Sequence, residues 1–143
     1  MSRKLLSSVG ATIVVFLAGF WMGRTSPVEA QTKGRVFELR TYTAHPGKLG
    51  ALHARFRDHS AALFEKHGIT NIAYWSPQDE PASSNMLIYV LAHPSREAAT
   101  KSWDAFRNDP AWQKARADSE VNGPLASKVE SVFLEPTDYS PMK

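Results

Sequence analysis

An α+β fold, with helices packed on one face of an antiparallel sheet, is what the sequence predicts, and three observations carry the prediction. Arg35 to Tyr42 alternates from residue to residue with the period of a strand, and a helical period starts soon after it. Met86 to Ala92 (MLIYVLA) is a continuous apolar run with turn signals ahead of it. Around these two, strand-like and helix-like stretches follow one another in the order β-α-β-β-α-α-β.

The first strand places Phe37, Leu39 and Thr41 on one side and Val36, Glu38, Arg40 and Tyr42 on the other, so one face is greasy and the other chemically loaded. His45-Pro46-Gly47-Lys48 is a turn, because Pro presets the second turn dihedral and Gly tolerates the positive φ that follows. Lys48 to Lys66 carries Leu49, Leu52, Phe56 and Leu63 on one helical face, and the spacing predicts His59 on that same face. Lys66 and His67 suit the negative end of the helix dipole, and Gly68 suits the left-handed cap. Ile69 to Trp75 is β-branched and aromatic, a second strand. Pro77 to Asn85, with two prolines, is a loop. Met86 to Ala92 lacks alternation, which predicts a strand buried on both faces.

Ser95 is placed to cap a second helix with Glu97 in its first turn, although Ala98 stands where a capping box would have an acid. Ala99, Trp103 and Phe106 form that helix's inward stripe. Asp109-Pro110 starts a third helix, Asp as cap and Pro at the first helical position, with Trp112, Ala115 and Ser119 on one side. Asn122-Gly123-Pro124 ends it. Lys128 to Leu134 is the last strand, closed by Pro136, and Thr137 to Lys143 is a tail. The order is a ferredoxin-like plan with a short third helix inserted. Both faces of its sheet carry apolar residues, each forgoing roughly 1.5 to 3 kcal/mol if left in water. A second copy of the same sheet is the simplest cover, so a homodimer is expected.

The chain has 143 residues and no cysteine, which bounds it to one ordinary domain and excludes a disulfide framework, thiol catalysis and Cys-ligated metal. Arg3 and Lys4, the apolar run from Leu5 to Met22 and the small residues at Val28 and Ala30 predict a signal peptide over residues 1–30, cut between Ala30 and Gln31. The alternative is an uncleaved membrane anchor, since about 20 apolar residues span a bilayer. The expected location is therefore periplasmic or secreted, with membrane contact only if residues 1–30 stay attached. Residues 31–143 hold 14 basic and 13 acidic residues. A nearly neutral domain without a basic cluster argues against nucleic acid.

Glu38-Leu39-Arg40-Thr41-Tyr42, His45-Pro46-Gly47-Lys48-Leu49, Lys66-His67-Gly68, Tyr74-Trp75, Ser102-Trp103-Asp104-Ala105-Phe106, Asp109-Pro110-Ala111-Trp112 and Thr137-Asp138-Tyr139-Ser140-Pro141 together resemble the NIPSNAP family over nearly all of Val36 to Pro141. The resemblance implies a dimeric α+β barrel of two ferredoxin-like subunits packed sheet to sheet. It implies no activity, because the family has no agreed reaction. The exported start departs from the mitochondria-associated eukaryotic members, whose membrane-traffic and organelle-turnover roles are not carried over.

Candidate pocket or ligand-orienting residues are Glu38, Arg40, Tyr42, His59, Trp75 and Trp103. Glu38 and Arg40 read either as a structural ion pair or as an orienting cluster with Tyr42. His59 reads as a core histidine or an axial ligand, and the five histidines show no HxH or HExxH spacing, so no metal is expected. HPGKLG reads as a plain turn or an anion-binding helix start. Trp103, Phe106 and Trp112 read as core or as the wall of an aromatic pocket. The functional expectation is an exported dimeric module binding a small apolar or aromatic ligand or a protein partner, with no cofactor. The alternatives are a cofactor-independent oxygenase or isomerase and haem handling.

Overall fold

The computed structural model describes residues 35–143. The expected signal segment and its cut after Ala30 lie outside the described residues. Four strands, β1 (Val36–Ala44), β2 (Thr70–Trp75), β3 (Met86–His93) and β4 (Ala126–Leu134), form one antiparallel sheet in the order β2-β3-β1-β4. The first helical run consists of α1 (Leu49–Arg55), a π turn (Phe56–Ser60) and α2 (Ala61–Lys66). It is followed later by α3 (Arg96–Arg107) and α4 (Pro110–Ser119). This is the α+β plan that the order of elements predicts. Among the described residues no helix is long and apolar enough to cross a membrane.

The punctuation works as the residue types dictate. Ser95 Oγ accepts the Ala98 N–H and Asp109 Oδ1 accepts the Ala111 N–H, so α3 and α4 each start on a side-chain cap. Asp109 also accepts from Lys66 Nζ at 2.6 Å and from His67 Nε2 at 2.7 Å, which ties the end of the first helical run to the start of α4. Those bonds and the one from Ala111 hold its carboxyl well below the usual range. Gly68 closes the run at φ +76°, where an L side chain would be strained.

The π turn corrects the helical stripe. An extra residue closes an i to i+5 bond, Ala61 N–H to Phe56 O, and rotates everything after it by about one residue's worth of helix. The buried stripe is therefore Leu52, Phe56, Ser60 and Phe64 rather than Leu52, Phe56, His59 and Leu63. Ser60 donates to Arg55 O at 3.3 Å, and His59 is turned out to the exposed side.

The core lies between the helices and one sheet face. Leu87, Tyr89 and Leu91 of β3 are buried there, against Phe56, Phe64, Trp103 and Phe106. Phe56 meets Tyr89 edge-on at 5.0 Å and Phe64 meets Trp103 at 5.3 Å, the offset geometry that ring quadrupoles favour. The strand register puts Leu39, Ile88, Val90 and Val132 on the opposite face. Ile88 and Val90 are half-buried on that face, so within one chain β3 is fully buried on one side only. Trp75, Val132 and Leu134 stand exposed on the same face.

Candidate functional site

Glu38, Arg40 and Tyr42 all project from β1 toward the helices, since alternation puts every second residue on one face. Glu38 is almost wholly buried and takes four hydrogen bonds. Oε1 accepts from Arg40 Nη1 at 2.6 Å and from Ser131 Oγ at 2.7 Å. Oε2 accepts from Trp103 Nε1 at 2.7 Å and from His93 Nε2 at 2.9 Å, a nitrogen that must carry the proton because an ionised carboxylate only accepts. Burial alone would raise this carboxyl; the bonds from His93, Ser131, Trp103 and Arg40 outweigh it and pull the pKa down to about 2. Glu38 is thus a charged node joining β1, β3, β4 and α3.

Arg40 lies over Trp103, its guanidinium carbon 4.5 Å from the ring centroid, and 5.8 Å from that of Tyr42. Burial works against its charge, yet Tyr89, Tyr42 and Glu38 raise its pKa above the ordinary arginine value. Tyr89, fully buried beside Tyr42, has its phenol pushed well up by burial and by Tyr42, with Arg40 opposing, so it stays neutral. Its hydroxyl has no hydrogen-bond partner.

Arg40, Tyr42 and Trp103 border a cavity of about 270 Å³ between the β1–β4 edge and the helices. Arg55, Arg107, Trp112, Arg116 and Glu120 complete its main walls. Arg55 is buried, stacks at 5.3 Å on Trp112 and pairs with Glu120 at 2.8 Å. Arg116 shares that carboxylate at 3.1 Å. Burial raises the Glu120 carboxyl, but the bonds from Arg55 and Arg116 more than offset it and lower its pKa.

Of the six residues nominated by sequence, four come together here: Glu38 beneath the crevice, and Arg40, Tyr42 and Trp103 on its wall. The other two do not join them. Trp75 lines a second cavity of about 240 Å³ with His53, Phe56 and Tyr74. His59 borders a third, between α1 and α4, because of the phase shift at the π turn. Sequence reasoning missed His93, Ser131 and Arg55. The first two were within reach, as His93 continues the Leu87-Tyr89-Leu91 alternation and Ser131 sits directly across from Arg40. Among the described residues, no three His, Asp or Glu side chains are grouped to hold a metal.

The chain matches the sequence model of the NIPSNAP family over residues 37–141. It belongs to the NIPSNAP family. A NIPSNAP family protein from Agrobacterium tumefaciens superposes with a TM-score of 0.66 at 23% identity, covering 76% of this chain and 99% of that one. An uncharacterized NIPSNAP-like domain protein from Burkholderia xenovorans gives 0.65 at 19%, covering 75% and 89%. SnoaB, a cofactor-independent oxygenase from Streptomyces nogalater, gives 0.50 at 13%, covering 76% and 98%. At these identities the NIPSNAP and SnoaB structures speak to the fold alone. No curated protein matches the sequence.

Proposed function

We propose that this NIPSNAP domain is an exported homodimeric binding module whose crevice between β1, β4, α3 and α4 takes a small flat ligand. The observation that carries the reading is the crevice wall. Four aromatic rings, Tyr42, Trp103, Phe106 and Trp112, border about 270 Å³, near the small end of ligand pockets at roughly 300 to 1,000 Å³. An NMR titration with indole and benzamide tests it. The side-chain N–H signals of Trp103 and Trp112 should shift and saturate; no shift with either probe overturns the reading.

Pairing is supported by the uncovered sheet face, where Trp75 on one edge strand and Val132 and Leu134 on the other stand exposed on either side of half-buried Ile88, Val90 and Leu39, apolar surface of the kind that marks an interface. Native mass spectrometry of the purified protein reports the mass of the assembly and any retained molecule together. Export through residues 1–30 is checked by N-terminal sequencing, with Gln31 as the expected first residue.

The rival is a cofactor-independent oxygenase, favoured by the likeness to SnoaB. Such an enzyme wants a free base in the crevice. Glu38, its acidic candidate, is held by four donors and lies under the wall, which favours binding over catalysis.

A further inference from the structure

Arg40 and Arg55 repeat one arrangement on opposite sides of the crevice. Each sets its guanidinium carbon over a tryptophan ring, Arg40 over Trp103 and Arg55 over Trp112. Each commits Nη1 to a carboxylate, Arg40 to Glu38 and Arg55 to Glu120. Each leaves Nε buried without a partner, and neither Nη2 is hydrogen-bonded to a described residue. Nε and Nη2 are the two parallel donors on one edge of a guanidinium, the edge that grips a carboxylate bidentately. A buried donor left unpaired is costly, so two in one cavity call for an acceptor that a ligand brings.

The charge has the matching sign. Arg40, Arg55, Arg107 and Arg116 face three carboxylates, Glu38, Glu120 and Asp104, because Arg55 and Arg116 share Glu120. One positive charge is left over at a site lined by rings. We propose that the ligand of this crevice is a small aromatic carboxylic acid, its ring among Tyr42, Trp103 and Trp112 and its carboxylate on the free Nε–Nη2 edge of Arg40 or Arg55. The proposal rests on the binding role argued above and adds to it the charge and shape of what is bound.

The test compares benzoate with benzamide, which has the same shape and no charge, by NMR titration of the purified protein. Benzoate should bind about tenfold or more tighter, the worth of one charge-assisted hydrogen bond. Arg55→Lys, which keeps the charge and can keep the Glu120 pair but lacks the fork, or Arg40→Lys where the carboxylate lies on that edge, should remove most of that preference, read as the ratio of benzoate to benzamide affinity in the same variant. Equal binding of the two probes to wild type overturns the proposal without any variant, and leaves the crevice as a neutral aromatic site. An unaltered benzoate preference in Arg55→Lys, repeated in Arg40→Lys, also overturns it. Inorganic phosphate competing as well as benzoate would make this a plain oxyanion site and sink the aromatic acid. Failure of every aromatic probe would remove the binding role as well.

Discussion

Replacing Glu38 with Gln keeps the shape of the buried node and deletes its charge. Four donors converge on Glu38, from Arg40, Ser131, Trp103 and His93. A glutamine offers one oxygen and one NH₂ group, so one pair of donors meets a donor. If the NH₂ faces Trp103 and His93, the indole N–H has no acceptor; if it faces Arg40 and Ser131, the guanidinium has none. Breaking a buried pair in this way costs about 3 to 5 kcal/mol. At about 4 °C per kcal/mol for a domain of this size, the melting temperature should fall by roughly 12 to 20 °C.

The same substitution has a pH signature. Glu38 has its pKa lowered from 4.5 to about 2 in the folded chain, which is worth about 3 kcal/mol. A lowered folded pKa gives stability that is present above 4.5 and is lost as pH falls toward about 2. Urea melts of wild type and Glu38→Gln, followed by tryptophan fluorescence, should therefore differ most at neutral pH and converge in acid. Other carboxylates are common to both proteins and cancel in the difference. A variant within about 1 kcal/mol of wild type at neutral pH, or a gap that does not narrow in acid, would refute the account of Glu38 as a charged structural node.

Tyr42→Phe should melt within about 1.5 kcal/mol of wild type, since only one hydroxyl is lost, while that loss changes the affinity of aromatic probes. Gly68→Ala should cost about 1 to 2 kcal/mol in a denaturation curve, because a Cβ at φ +76° is strained even with room around it. Val132→Glu places a charge on the exposed β4 edge of the uncovered sheet face and should lower the mass seen by light scattering from two chains to one; an unchanged dimer would move the interface elsewhere.

The sheet was legible because its signals are local and periodic. Met86 to Ala92 can only be a strand of this length, Ser95 and Asp109 announce their helices by hydrogen-bonding chemistry, and Gly68 is required by its own dihedral. Half of the site was legible for the same reason, since residues two apart on one strand share a face and Glu38, Arg40 and Tyr42 follow from that alone. His59 and Arg55 were not. His59 is placed by one π turn, whose cause is not periodic: the backbone spends an extra residue there, and Ser60 rather than His59 faces inward; Arg55 comes before that turn and is placed by α4 instead. On an unbroken α period, His59 would share the inward face with Phe56. Arg55 and Phe56 are both buried, side by side in the chain, Phe56 in the core and Arg55 on the crevice. Arg55 is therefore set by tertiary packing rather than by the period of α1, since Trp112 and Ser119 of α4 and Glu120 just beyond it cover a second flank of that helix and bring its guanidinium to a wall that already holds Arg40.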